Sequence, residues 1–276
     1  METARNQVVI EPGESNARFW SDLWRFRELF VFLAWRDILL RYKQTAFGIA
    51  WAVLKPVLTM ILLTLVFSKV AGLRSDPTPY PLFVLAGMLV WQLFSGCASD
   101  TTLCLISNSS IVTKVYFPRI IIPSSTTLVN WVDFGVGLTL FFLLFFFWRQ
   151  HLTLWVLLLP LWLVVLWALS LGVGLWLSAS AARYRDVRFV VPFFLQMGLY
   201  ASPVGYATGS IPIRLKSWVY LNPLSGIIDG FRASLFNQWP ENLMLSCLSS
   251  VILSGLILWT GFVFFKALEP SFSDVI

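Results

Sequence analysis

Six stretches of almost unbroken apolar sequence run through this chain, at residues 47–70, 80–98, 120–148, 152–182, 189–206 and 243–265. A helix that crosses a bilayer needs roughly 20 consecutive apolar residues. Five of the stretches reach or approach that length. The fifth, Phe189 to Tyr206, is marginal, and Pro192 and Pro203 predict a kinked helix there, supported by protein neighbours. A soluble fold could not hide so much apolar sequence: 58% of the residues are hydrophobic and 12% charged, where an ordinary domain has roughly 25% charged. The chain reads as an all-α integral membrane protein with six transmembrane helices.

Two segments depart from that pattern. Residues 1–34 are read as a cytoplasmic N-terminus followed by an amphipathic interface helix, and residues 35–276 as the six-helix domain. In the first part Phe19, Trp20, Leu23, Trp24, Phe30 and Leu33 recur at three- and four-residue steps, with Ser21, Asp22, Arg25 and Glu28 opposite. This suits a helix lying in the headgroup plane better than one packed on a soluble partner. Glu2, Glu11 and Glu14 crowd the start and no apolar h-region follows a basic one, so insertion is expected to use the first true span. The second segment, Ala207 to Glu241, mixes Pro212, Trp218, Pro223, Gly226, Gly230 and Pro240 with apolar patches too short to span. Short re-entrant helices between spans five and six fit it, as a cap over a pathway.

Charge predicts orientation. Of 20 Lys and Arg residues, 14 fall on one side of the predicted spans: eight before the second span, Lys114 and Arg119, the Arg183, Arg185 and Arg188 group, and Lys266. That side is read as cytoplasmic, with both termini inside. Cys97, Cys104 and Cys247 show no disulfide or metal spacing and are read as buried small hydrophobes. There is no phosphate-binding G-x-x-x-x-G-K-[ST] loop, no G-x-S-x-G elbow and no H-E-x-x-H pair; the single histidine, His151, is in a short loop. The chain is therefore expected to bind no cofactor, metal or nucleic acid and to catalyse nothing itself, so energy for work must come from elsewhere.

Four segments set charge and proline against apolar runs, where both are expensive. Trp35 to Pro56 carries Arg36, Asp37, Arg41 and Lys43 ahead of Tyr42, Phe47 and Trp51. It is either a positive-inside anchor with an aromatic belt or a basic entrance for an anionic headgroup followed by rings that hold sugars. Ser107 to Pro123 holds Lys114, Tyr116 and Arg119 in a short amphipathic piece, a polar turn or a docking knob. Ala182 to Tyr206 opens with three arginines and carries Phe193, Phe194, Tyr200 and Tyr206, which are core and belt aromatics or the lining of a kinked pore helix. In Tyr220 to Phe236, Asp229 and Arg232 stand three apart and are expected to pair structurally on one helix face.

These segments, in this order, resemble the permease subunits of polysaccharide ABC exporters, the group that exports O-antigen, teichoic acid and capsule chains. RDILLRYKQTAFGIAW, FPRIIIP, RYRDVRFVVPFFLQ followed by SPVGY, LNPLSGIIDGFR and the ending LEPSFSDVI carry the resemblance. It implies an interface helix, six spans, re-entrant helices, a homodimer, and two ATP-binding cassette subunits that hold ATP and magnesium. It further implies export of a lipid-linked polysaccharide, such as undecaprenyl-diphosphate-linked O-antigen, across the bacterial inner membrane. Mapped onto this chain, Tyr42, Phe47, Trp51, Phe193, Phe194, Tyr200 and Tyr206 become candidate sugar contacts. Arg36, Arg41, Lys43, Arg183 and Arg185 become candidates for the lipid diphosphate, and Lys114, Tyr116 and Arg119 for coupling to the ATPase. An exporter of a drug or a sugar-free lipid is the nearest alternative. A membrane enzyme on lipid-linked sugars would need a nucleophile, base or acidic metal site that the sequence does not display, and an ion-coupled carrier would show internal repeats and buried carboxylates.

Overall fold

The computed structural model describes residues 16–43, 49–70, 72, 78–240 and 243–272. Helices α1 (Asn16–Arg25) and α2 (Arg27–Lys43) come first. Next are α3 (Ile49–Leu63), which continues as a wider π-turn over Thr64–Val70, α4 (Tyr80–Ser107), the short α5 (Ser109–Lys114) and α6 (Ile121–Phe147). A 3₁₀ turn, Leu154–Leu158, leads into α7 (Leu159–Arg183), followed by α8 (Val187–Ala201), α9 (Ile213–Tyr220), α10 (Pro223–Phe236) and α11 (Leu243–Leu268). A last 3₁₀ turn covers Glu269–Ser271. Among the described residues, five helices are long and apolar enough to cross a membrane, and α8 is a shorter apolar one. The 15 residues of α8 rise only about 22 Å at 1.5 Å each, short of the roughly 30 Å hydrocarbon layer.

The bundle is built around α4, which packs on α3, α6, α7, α8 and α10. Its apolar sequence pattern stops near Ala98, yet the helix runs on to Ser107. The polar residues in that extension satisfy themselves inside the helix: Thr101 Oγ1 donates to the Cys97 carbonyl at 2.6 Å and Thr102 Oγ1 to that of Ala98 at 2.6 Å. Polar side chains that bond the preceding turn leave nothing unpaired for lipid or core to meet. Helices α7 and α11 pack closely where both lose their side chains. A Cβ on Gly172 would lie 2.6 Å from the backbone of Leu258, and Gly261 faces the Gly172 carbonyl in return. Small residues are the usual means of bringing two membrane helices together.

Two apolar clusters organise the packing. The larger joins the middle of α4 to Phe134, Phe141 and Phe145 of α6, Leu166 and Leu169 of α7, and Ile227, Ile228 and Phe231 of α10. The smaller gathers Leu33 of α2, Leu105 at the end of α4, Val112 of α5, Ile121 at the start of α6, Ala179 and Ala182 at the end of α7, Phe265 of α11, and Phe272. This second cluster brings the N-terminal helices, the α5 turn and the C-terminal turn to one end of the bundle.

The N-terminal amphipathic stretch is two helices, broken at Phe26, and α2 continues without interruption past residue 34 to Lys43. Leu33 and Ala34 are buried against the bundle, whereas Trp24, Phe32, Trp35 and Leu40 stay exposed. A helix with apolar groups on a second, uncovered face is what the membrane interface accommodates.

The segment between α8 and α11 is ordered around α10. Asn222 caps it, accepting from the Leu224 N–H at 3.0 Å, with Pro223 in the first turn, and Asn237 closes it with a left-handed backbone at φ 54°. These are the usual start and stop signals of a helix. From Leu224 to Leu235 every residue of α10 is buried. Gly226 sits where α10 meets the backbone at Ser246 of α11, so close that no side chain fits.

Candidate translocation surface and coupling site

The end of α2 inserts a cation between two spans. Arg41 Nη2 donates to Asp100 Oδ2 of α4 at 2.8 Å and Nη1 to Asp133 Oδ2 of α6 at 2.8 Å. Asn130 joins both sides, accepting from Arg41 at 3.3 Å and donating to Asp100 at 2.8 Å. Gly96 makes room for it, since a Cβ there would collide with the Asn130 side chain. The Tyr42 hydroxyl donates to Asp133 Oδ1. Burial, with the Asp133 carboxylate beside it, pushes the Tyr42 phenol up and keeps it protonated as the donor. The two carboxylates look unrelated in sequence, yet one guanidinium bridges them.

This cluster closes one side of a cavity of about 520 Å³. Trp51 and Lys55 of α3, Gln92, Ser95 and Ser99 of α4, and Pro192 and Leu195 of α8 complete its lining. Helices α3 and α8, from the first and fifth apolar stretches, therefore converge on one cavity beside α4. Their outward sides are rich in uncovered apolar groups: Trp51 is 60% exposed and Phe194 66%, with Phe193, Met197 and Tyr200 alongside.

The candidate sugar contacts separate into groups. Trp51, Phe193, Phe194 and Tyr200 are exposed on α3 and α8. Tyr42 is half-buried and engaged with Asp133. Phe47 lies outside the described residues. Tyr206 is half-buried, and its hydroxyl donates to the carbonyls of Tyr200 at 3.4 Å and Ala201 at 3.3 Å at the end of α8.

The candidate diphosphate cations also divide. Arg41 is held between carboxylates of the bundle, and Arg36 Nη2 donates to Asp37 Oδ1 at 2.7 Å and Asn108 Oδ1 at 2.7 Å. Both already have anionic partners, so neither stands ready for a phosphate in this arrangement. Lys43, Arg183 and Arg185 remain exposed, at the end of α2, at the end of α7 and in the turn after α7. Arg188, not selected from the sequence, lies over the Phe189 ring at 4.7 Å.

In the α5 region Lys114 and Tyr116 are exposed and Val112 is buried. Arg119 joins this region to the C-terminal turn: its backbone N–H donates to Glu269 Oε1 at 2.8 Å and its Nη1 to the Glu269 carbonyl.

Asp229 and Arg232 share a buried face of α10, each 5% exposed, but they do not pair with each other as the spacing suggests. Asp229 accepts from Thr208 Oγ1 at 2.5 Å. Arg232 donates to the carbonyls of Pro203 and Val204 at 2.6 Å each and of Phe83 at 3.1 Å, lying 3.6 Å over the Phe83 ring. The loop carbonyls between α8 and α9 outcompete the carboxylate because the guanidinium fork matches several acceptors at once.

Asn108, Asn130, Asp133, Asp100 and Glu269 complete these networks and were not selected from the sequence. An ionisable residue inside an apolar run, for Asp133, or just past the end of one, for Asp100, was the available signal; Asn108 and Glu269 carried none.

Residues 28–236 match the family described as ABC-2 type transporter. The chain is similar to the O-antigen export system permease protein RfbA of Myxococcus xanthus, 26% identical over 258 residues that cover 92% of this chain and 98% of that protein. An O-antigen export system permease protein RfbA of Klebsiella pneumoniae is 26% identical over 252 residues, 90% of this chain and 95% of its own. The polysialic acid transport protein KpsM of Escherichia coli is 21% identical over 239 residues, 86% of this chain and 92% of its own.

Proposed function

We propose that this chain, which belongs to the ABC-2 type transporter family, is the membrane subunit of an exporter that carries a lipid-linked polysaccharide out of the cytoplasm. The observation that carries this reading is similarity over nearly the whole length to permeases named for O-antigen export and polysialic acid transport. Two copies form the channel and two ATP-hydrolysing subunits, with ATP and magnesium, dock at the end of the bundle that bears α5. The chain itself contributes no catalytic group. It sits in the inner membrane with both termini in the cytoplasm, supported by the meeting of α2, α5 and the C-terminal turn in one cluster.

The chemistry of the exposed faces fits a polymer. Trp51, Phe193, Phe194 and Tyr200 offer flat apolar surfaces to sugar C–H groups without fixed hydrogen bonds, and a repeating chain can slide over weak, repeated contacts where one tight site would stall it. Lys43, Arg183 and Arg185 are the exposed candidate cations left to meet the undecaprenyl diphosphate, the arginines through guanidinium forks that match phosphate oxygens and Lys43 as a point charge.

The test is a deletion strain complemented with this chain and its ATPase, scored for surface polysaccharide and for polymer retained inside. Retained polymer in the deletion strain, relieved only by the pair, is the expected result. Undiminished surface polymer with none retained would require a different cargo.

A further inference from the structure

The six residues of α5 have no membrane span of their own to hold them. At their leading end Asn108 Nδ2 donates to the Cys104 carbonyl at 2.8 Å, and its Oδ1 accepts Arg36 Nη2 at 2.7 Å. That ties the start of α5 to α4 and α2. The trailing end, residues 115–120, receives its tie from the far terminus of the chain. Glu269 Oε1 accepts the Arg119 N–H at 2.8 Å, and the Glu269 carbonyl accepts Arg119 Nη1. Three residues on, Phe272 is 2% exposed and meets Phe265 edge-on at 5.2 Å, inside the cluster that also buries Val112 of α5. A charged acceptor on a backbone donor is among the stronger hydrogen bonds, and here a buried ring anchors it. These contacts join the C-terminal turn to the segment that follows α5.

We infer that Glu269 is a positioning residue for the coupling segment: the C-terminal turn holds the trailing end of α5 so that a push from the ATPase reaches α2 and α6 instead of swinging α5 about Asn108. The inference rests on the exporter reading above, in which α5 receives the ATPase.

The experiment uses the permease purified together with its ATPase and reconstituted in proteoliposomes. Three readouts are taken: ATP hydrolysis relative to the ATPase alone, amide hydrogen exchange over 109–120, and export of lipid-linked polymer. In Glu269→Ala, the ATPase should still co-purify, exchange at the Arg119 amide should rise, and permease-dependent stimulation of hydrolysis should fall about tenfold, the scale of one lost charge-assisted hydrogen bond. Glu269→Gln keeps an acceptor oxygen at the same reach and should restore both. A purely structural loss would lower assembly in both variants and would not separate them. If Glu269→Ala does not accumulate, Glu269→Asp, which withdraws the oxygen by one methylene, carries the same test. Stimulation and exchange at wild-type levels in Glu269→Ala or Glu269→Asp would overturn the inference. Absence of polymer export by the wild-type complex, with hydrolysis still stimulated, would instead overturn the exporter reading and leave the role of Glu269 decided by the first two readouts.

Discussion

Three arginines decide much of this structure, and each is bound by groups far away in the chain. Arg41 reaches acceptors 59 and 92 residues along, Arg119 one 150 residues along, and Arg232 one 149 residues back. The Arg41 bridge makes a testable energetic claim. Removing the guanidinium leaves Asp100 and Asp133 facing each other in a partly dry site. Arg41→Ala is therefore expected to lower stability in detergent by about 1–3 kcal/mol, less than the roughly 3–5 kcal/mol of a fully buried pair because the groups stay about a third exposed. Adding Asp100→Asn and Asp133→Asn should recover part of the loss, and a thermal denaturation series on the single and combined variants measures it. Arg232→Lys is expected to cost more, about 3 kcal/mol, because an ammonium cannot serve three diverging carbonyls as the guanidinium does; the folded yield after heating reads it directly. None of these attachments was visible in the sequence. Basic residues beside apolar runs were rightly marked as costly, but only the fold shows whether the compensating anion is a lipid phosphate, an Asp of the next helix or a ring of carbonyls.

At the scale of elements, periodicity and length were informative because the bilayer imposes both. Each of the six apolar runs became a helix among the described residues, and the proline-bracketed fifth became the short one. Ends were less readable. Helix α4 outruns its apolar pattern by satisfying Thr101 and Thr102 internally, and the N-terminal stretch breaks at Phe26 where the pattern shows no interruption. The faces of α3 and α8 illustrate the same limit: sequence named their aromatics, and the fold separates Phe194 and Tyr200, which are uncovered, from Tyr206, whose hydroxyl bonds the end of α8. Replacing Trp51, Phe194 or Tyr200 by Ala should thus reduce polymer export while leaving ATPase assembly intact. Tyr206→Phe should leave export near normal, since it removes a hydroxyl bond at α8 and no lining surface. Surface polysaccharide measured by blot across the four variants distinguishes a track of rings from general packing; equal export in all would rule the track out.

Across the whole molecule, the motifs that carry the family resemblance turn out to be joints. The SPVGY loop is held by Arg232 of the DGFR motif and by a 2.9 Å bond from Asn222 of the LNP motif to Ser202; FPRIIIP is tied to LEPSF through Arg119 and Glu269; RDILLRY is clamped to α4 and α6 through Arg41. Such joints put α2, α5, the end of α7 and the C-terminal turn at one end, and the loop after α6, with His151, belongs to helix ends away from that cluster. That arrangement makes a topological prediction independent of cargo. Cys97 and Cys104 are buried and Cys247 is half-buried, so introduced thiols can be compared against a low native background. In intact cells, His151→Cys should react with a membrane-impermeant maleimide, whereas Lys114→Cys and Arg185→Cys should react only after permeabilisation. Labelling of Lys114→Cys from outside would invert the molecule, remove α5 from reach of any cytoplasmic ATPase, and require the charge excess on that end to have another cause. Labelling of Lys114→Cys and Arg185→Cys on opposite sides would be more damaging, because the buried cluster that joins α5 to the end of α7 could not then exist in the membrane.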